Sequence, residues 1–411
     1  MDKLNKEKNN KSIDTRHRWH SFPAKYPPDI PETYINFFTR KGDLVFDPMS
    51  GSGTTLIEAQ RLNRKSVGFD VDPLSIINIK GKFCTASLQD IIDEHSRIVN
   101  SIVDKSKALN QMFETRFTEK TKEFIRYWFP QDSINQLLAL SNNILSISNE
   151  QIRDFFCLVL SATVITKHGN ICYAADLAHT RPHKVSSKKI VLPIDEFEKK
   201  YSSIIKDYGL YYQINKQNAP VLIHGDARTL SLDSNSVDLV VTSPPYANNA
   251  IDYLRAHKFA LVWLGYSIEQ LAEIRKHMIG ELALSRNSYQ LPVRTLNTIE
   301  TIMGKDNSKG RRLEKYFSDM LFMLEQIRRA LKPGKHAILV VASSVINGID
   351  VLTHECLIEI AQSLGLILDN IQERDIDRDK RMMPVSNGVK TNSQIESRMH
   401  TEFIIDFRKD K

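Results

Sequence analysis

Cysteine is scarce. The four in 411 residues, Cys84, Cys157, Cys172 and Cys356, form no CxxC pair and no Cys/His cluster. That pattern excludes a disulfide framework, indicates no metal site, and fits reduced thiols in a cytoplasm. Long apolar runs are also missing: none reaches the length of a membrane span, and the opening Met1 to Lys11 is polar where a secretory leader would be apolar. Acidic residues are the minority charge, 49 against 56 Lys and Arg, and the resulting formal charge of +7 favours a polyanionic partner. With 41% hydrophobic residues the chain can bury a sizeable core, enough for one catalytic domain and an inserted or appended module.

What is present concentrates in two short stretches. The first starts as the apolar run Asp43-Leu44-Val45-Phe46, a buried parallel strand by length, and breaks into a loop containing Gly51 and Gly53. Glycine there permits positive φ and a close approach of backbone to ligand. From Thr54 the pattern turns helical, through Leu56, Ile57, Ala59 and Leu62, so the loop opens on a helix N-terminus with unpaired N–H groups. A second strand, Ser66 to Phe69, ends in Asp70 and Asp72, where an acid can hold the ribose hydroxyls of a nucleoside cofactor. A phosphate-binding P-loop is disfavoured, because Gly53 is followed by Thr54 and Thr55 and not by a Lys-Ser/Thr pair.

The second stretch follows two further strands, Val221 to Asp226 and Val237 to Val241, and reads Thr242-Ser243-Pro244-Pro245-Tyr246. Two prolines fix φ twice and supply no N–H, so the turn is stiff and its carbonyls point outward without local partners. Such a turn can aim a pair of acceptors at one amino group. Tyr246 adds a flat face on which a base extruded from a duplex can stack. The bland reading is a proline-rich surface turn, which would belong in a polar tract and not directly behind a buried strand.

These residues resemble the amino-methylating DNA methyltransferases that use S-adenosylmethionine. Their cofactor loop, D-P-x-x-G-S-G-T-T, is matched in full by Asp47-Pro48-Met49-Ser50-Gly51-Ser52-Gly53-Thr54-Thr55, and their [DNS]-P-P-[YFW] loop by Ser243 to Tyr246. His20-Ser21-Phe22-Pro23-Ala24-Lys25-Tyr26-Pro27-Pro28 is similar to the family's extra cofactor segment. The resemblance covers about 20 to 80 and 218 to 408. It implies that Ser243 and the Pro244 carbonyl accept from the target amine, that Tyr246 stacks on the base, that Asp70 holds the ribose, and that Asp226 lies near the adenine amino group. Phe22, Pro23, Ala24 and Lys25 would line the methionine end. The Ser-Pro-Pro-Tyr form goes with cytosine N4 in the family and Asp- or Asn-Pro-Pro-Tyr mainly with adenine N6, although the same acceptors serve either amine. C5 methylation would need a thiolate, usually in a Pro-Cys pair, and none of the four cysteines follows a proline.

The expected fold is α/β: a Rossmann-like class I methyltransferase with a mostly parallel seven-stranded sheet ending in an antiparallel pair, plus a largely helical insertion. Expected boundaries are a basic flexible arm over 1–18, a catalytic domain over 19–80 and 218–411, a helical insertion over 81–217 that is a candidate for target recognition, and a second inserted segment over 267–312. Helices are expected over 91–107, 134–147, 155–166, 316–331 and 352–364, with 170–189 a basic and aromatic loop. Asn248 to Gly265 reads as a helix beside the catalytic loop with Tyr253, Leu254, Phe259, Leu261 and Trp263 as core; its charges Asp252, Arg255, His257 and Lys258 could face the pocket or the solvent and carry no catalytic assignment. Candidate DNA contacts are Arg181, Lys184, Arg286, Arg294 and Arg311; no metal is expected. The function expected is site-specific DNA methylation in a prokaryotic restriction-modification setting, with double-stranded DNA as partner and a separate endonuclease as a possible second one. A related fold modifies RNA bases, but no RNA-binding module is recognisable. A non-catalytic DNA-binding or specificity subunit is the alternative of another class, against which the two intact loops argue.

Overall fold

The computed structural model describes residues 14–22, 25–102, 106–166, 170–175, 177, 182–247, 253–281, 290–342, 344–375 and 401–411, with backbone only at 106–108. In chain order, the first part contains α1 (Asp29–Phe38), β1 (Leu44–Asp47), α2 (Thr54–Arg61), β2 (Lys65–Asp70) and α3 (Pro73–Lys82). The insertion supplies α4 (Leu88–Asn100), α5 (Ser106–Arg116), α6 (Glu119–Trp128), α7 (Gln131–Leu145), α8 (Glu150–Val164), the two-residue strands β3 (Ala174–Ala175) and β4 (His183–Lys184), and α9 (Pro193–Asn215). Then follow β5 (Val221–His224), β6 (Val237–Thr242), α10 (Tyr253–Leu261), α11 (Ile268–Lys276), α12 (Val293–Lys305), α13 (Asn307–Ala330) and β7 (Leu331–Ala342). The short β8 (Val345–Ile346) and β9 (Ile349–Asp350), α14 (Thr353–Ser363), β10 (Leu366–Asp375) and β11 (Thr401–Lys409) complete the chain.

Seven strands form one sheet in the order β10-β11-β7-β6-β1-β2-β5. The neighbours from β7 to β5 are parallel, and β11 pairs antiparallel with both β7 and β10. The order reverses between β1 and β6: the chain first builds outward to β2 and β5, then returns to the other side of β1. At such a switch point the loops leaving adjacent strand ends diverge, which opens a crevice at the carboxyl edge of the sheet. β6 is buried at all six positions, as a central parallel strand covered on both faces must be. Its Asp238 is tolerated because it accepts from Leu44 N–H (3.0 Å) and pairs with Lys332 (2.8 Å).

Alternation along the strands divides the core. Phe46, Val240, Leu339 and Ile405 pack under α12, α13 and α14, while Val45, Leu239, Val241, Ile338 and Val340 face α1 and α2. α13 begins nine residues before the expected start, because Asp306 caps it by accepting from Lys309 N–H (3.1 Å) and Gly310 lets it cross close to Met303. Leu291, Ile299 and Ile302 join the same core, so the segment over 267–312 is not wholly a polar insert.

Two expected boundaries shift. Residues 14–18 are no part of a flexible arm: Asp14 caps a 3-10 turn over Thr15–Arg18, and Arg16 is 1% exposed. Its guanidinium reaches Asp14 (2.7 Å), Gln60 (2.7 Å) and Asn215 (2.6 Å), since a buried cation is held only by partners in good geometry. The helix expected over 91–107 ends at Asn100, and the loop expected over 170–189 contains the β3–β4 ladder. The helical insertion also has no core of its own apart from the catalytic chain. Phe259 of α10 and Trp263 just beyond it, both fully buried, pack among Phe117, Phe124, Trp128 and Phe129, and Arg116 donates to the Trp263 carbonyl (2.8 Å). Packing against the insertion thereby fixes the helix that follows the Ser-Pro-Pro-Tyr loop.

Gly68 of β2 marks a close approach. A Cβ there would fall 2.5 Å from Ser50 Oγ and 2.6 Å from Leu56 Cδ1. Gly68→Ala is expected to lower stability by about 1–3 kcal/mol through overpacking beneath the loop, read as a shift in urea midpoint at unchanged slope.

Candidate functional site

The glycine loop closes on itself before it meets any ligand. Gly53 N–H donates to the Ser50 carbonyl (2.7 Å), Ser50 N–H to the Phe69 carbonyl (2.9 Å), and Ser50 Oγ to the Asp47 carbonyl (3.0 Å). Gly51 (φ +49°) and Gly53 (φ +80°) take the left-handed region, and a Cβ on Gly53 would come 2.9 Å from Ile79 of α3. Asp70 at the tip of β2 accepts from Gly51 N–H (2.7 Å) and Asp72 N–H (2.9 Å). Burial, then the neighbouring Asp72, push its carboxyl up to about 7.

Asp47 sits deeper. Fully buried, it accepts from Thr55 Oγ1 (2.8 Å) and Met49 N–H (3.2 Å), and burial pushes it up to about 6. The Thr55 hydroxyl also lies 3.1 Å from the Val241 carbonyl, one residue from the end of β6, and contacts the Tyr26 hydroxyl. Asp47 and Thr55 therefore shape the loop from behind and tie it to the neighbouring strand end. Pro48 and Thr54 are buried as well, and Ser52 Oγ bonds Thr54 Oγ1 (3.0 Å).

The second loop leaves β6 beside the first. Ser243, Pro245 and Tyr246 are half-buried and Pro244 is buried. Contrary to a turn with every carbonyl pointing outward, the Pro245 carbonyl accepts from the Tyr316 hydroxyl of α13 (3.0 Å). The loops meet through aromatic rings. Phe22 lies against the glycine turn, 3.5 Å from where a Gly51 Cβ would stand, and its ring centre is 5.9 Å from Tyr253 and 5.0 Å from His257 of α10. Burial raises the Tyr253 hydroxyl far above its usual range, with Tyr246, Asp70 and Asp72 adding to the effect, so groups from both loops surround it. His257 Nδ1 is 2.5 Å from Asp72 Oδ2, while Asp72 Oδ1 caps α3 through Leu74 N–H (2.9 Å). Asp72 thus binds α3 to α10, with both its oxygens engaged.

Known proteins resemble this chain in sequence. A family model for N6/N4 methyltransferases, described as DNA methylase, matches residues 1–80. The type II methyltransferase M.MvaI of Kocuria varians is 22% identical over 84% of this chain and 80% of its own. M.BsoBI of Geobacillus stearothermophilus is 22% identical over 77% and 72%, and M.PvuII of Proteus hauseri 34% identical over 19% and 24%. Over its first 80 residues the chain matches the N6/N4 DNA methylase model, and over most of its length it is similar to type II methyltransferases. Among solved structures, phosphoethanolamine N-methyltransferase 2 of Haemonchus contortus aligns at 9% identity and TM-score 0.34 over 97% of this chain and 58% of its own, and adds nothing to the strand order.

The remaining expected residues fall in different places. Pro23, Ala24, Arg181 and Arg286 lie outside the described residues. Lys25 donates to the His17 carbonyl and folds back on its own segment. Asp226, beyond the end of β5, accepts from Arg228 through Nε (2.8 Å) and Nη2 (2.7 Å), and Arg228 also pairs with buried Asp319 (2.7 Å). Lys184 is exposed on β4 with Nζ 4.1 Å from the Tyr127 ring centre; Arg294 pairs with Glu355; Arg311 is exposed on α13. None of these three is seen to touch the loop residues. Sequence reasoning missed Tyr316, assigned Tyr253 only to the core, and left His257 open between pocket and solvent with no catalytic role; their helical spacing does not say which neighbour they meet, and only packing turns them toward the loops. Among the described residues no His/Cys/Asp/Glu group could hold a metal, and no helix is long and apolar enough to cross a membrane. The buried thiols are unsuited to nucleophilic attack, burial pushing Cys157 up to about 12 and Cys172 up to about 11.

Thr55→Val keeps the shape and removes the hydroxyl that joins Asp47 to Val241. A loss of about 1–3 kcal/mol is expected in chemical denaturation, because the buried Asp47 carboxylate loses a donor; an unchanged midpoint would show the bridge to be dispensable.

Proposed function

We propose that this DNA methylase moves a methyl group from S-adenosylmethionine to the exocyclic amine of a base swung out of double-stranded DNA, with cytosine N4 as the target atom. The observation that supports this most is the adjacency of the two loops: β1 and β6 are paired neighbours, and Thr55 at the start of α2 bonds the backbone of β6 just before Ser243. S-adenosylmethionine, when bound, supplies an electrophilic methyl group on sulfur. The chain's task is to place an amine nitrogen in line with it and to stabilise the charge that develops.

The residues fit such a cofactor. Asp70 keeps lone pairs for ribose hydroxyls while its loop bonds hold it in place, and Phe22 and residues 50–53 border the space beside it. Asp226 would share its carboxylate between Arg228 and the adenine amino group. On the base side, Ser243 Oγ and the Pro244 carbonyl accept from the target amine and draw its nitrogen toward a pyramidal shape with an available lone pair. Tyr246 stacks on the extruded ring, and Tyr316 stiffens the turn by holding Pro245. Ser at 243 favours cytosine by the family's pattern; adenine N6 is the second reading, since the same acceptors serve either amine. Lys184, Arg294 and Arg311, with Arg181 and Arg286, are the proposed DNA contacts, and the setting is a prokaryotic cytoplasm with restriction-modification, with or without a separate endonuclease.

Tritiated S-adenosylmethionine with plasmid, followed by digestion to nucleosides, tests the proposal. Label in N4-methylcytosine is expected; label in N6-methyladenine would transfer the reading to the second base, and tight DNA binding without label would favour a non-catalytic subunit. Ser243→Ala is expected to lose about 100-fold or more of the transfer rate with cofactor affinity kept; unchanged turnover would remove Ser243 from the chemistry. Asp70 gives a pH signature. Ribose hydroxyls donate to its carboxylate form, so affinity for S-adenosylhomocysteine relative to that of Asp70→Asn should grow as pH rises through about 7. A constant ratio in calorimetry across that range would argue against the contact.

A further inference from the structure

One face of the helical insertion carries open aromatic rings with lysine ammonium groups over them. Tyr127, at the C-terminal end of α6, is 54% exposed, although its ring is held edge-on against Trp128 at 5.0 Å between centres. Trp128 and Phe124 in turn pack on buried Phe259 of α10, each at 5.0 Å. The β3–β4 ladder is fastened at the same place: Tyr173 N–H donates to the Trp128 carbonyl (2.8 Å), and the Tyr173 carbonyl accepts from Val185 N–H (2.8 Å). Two lysines stand over these rings. Lys184 Nζ lies 4.1 Å from the Tyr127 ring centre and 5.3 Å from that of Tyr173, and Lys258 Nζ lies 5.1 Å from that of Phe124.

A ring face holds an ammonium in place without cancelling its charge, as a carboxylate would. Among the described residues no carboxylate pairs with exposed Lys184, whereas Lys122 and Arg126 of α6 are both paired with Glu114, and Arg294 with Glu355. The strip therefore keeps positive charge at set positions on a partly apolar surface, which complements a row of phosphates joined by sugars. Its place indicates which phosphates. Lys258 follows Tyr253 of the crevice by five residues of the same helix, about 7.5 Å along its axis. That is about two base steps of a duplex whose target base has swung into the crevice. We propose that Lys258 and Lys184, positioned by the rings of Phe124 and Tyr127, form a track for the phosphates that flank the extruded base. The inference rests on the DNA-methylating reading above, and it assigns the holding of the DNA backbone to the helical insertion.

Fluorescence anisotropy with a labelled duplex of arbitrary sequence, followed from about 50 to about 200 mM salt, tests the track, because phosphate contacts release counterions whatever the bases. Combining Lys184→Met with Lys258→Met is expected to weaken binding by about 10- to 100-fold at about 100 mM salt and to flatten the slope of log K against log salt by about 2. Unchanged affinity, or a loss with the slope unchanged, would overturn the proposal. Tyr127→Leu removes a ring and no charge, so a loss below about threefold at constant slope is expected; a loss as large as that of Lys184→Met would reassign the strip to stacking on unpaired bases. Circular dichroism establishes folding first. Where the double variant is unfolded, Lys184→Met is read alone, with a slope change of about 1 expected and no change overturning the track. Wild-type protein that binds no duplex at about 50 mM salt would overturn the DNA-methylating reading, and the track with it.

Discussion

The parallel pairing of β1 with β6, joined across its end by the Thr55 hydroxyl, is the constraint on which the rest of the site depends. These strands come from parts of the chain almost two hundred residues apart, and nothing local brings them together. Once paired, their carboxyl ends lie one strand spacing apart, and the two loops must share a crevice. The bond from Thr55 to Asp47 makes the arrangement specific. A carboxylate buried at the end of a central strand is tolerable only with donors, and the hydroxyl that also meets β6 and the Met49 N–H are among them.

A second constraint comes from the helical insertion. Its aromatic core takes in Phe259 and Trp263, so α10 cannot move independently of α6 and α8. α10 in turn presents Tyr253 and His257 to the glycine turn and to Asp72. An insertion that reads as a separate module along the chain thus helps set the width of the crevice. Arg16 performs a similar function from the other end, clamping the segment before Phe22 to α2 and α9. The site is walled by contributions from four distant parts of the chain, each held by a buried polar contact or an aromatic cluster.

By itself the sequence located the seven strands of the main sheet and the two loops. Short apolar runs such as Val237 to Val241, bounded by turn residues, read as buried strands, while glycine at 51 and 53 frees the backbone for positive φ and proline at 244 and 245 restricts it. The mostly parallel sheet with its closing antiparallel pair followed from the family resemblance that the two loops carry, and Asp70 at a strand tip from the run Ser66 to Phe69. The tertiary structure alone decided what lies opposite each loop. Residues 14–18 read as polar tail because charge is the local signal, and only Gln60 and Asn215, remote in sequence, make Arg16 a buried clamp. His257 and Tyr316 occupy ordinary helical positions; which of them faces a loop depends on helix packing between distant segments, and periodicity fixes a helix's buried face without fixing its neighbour.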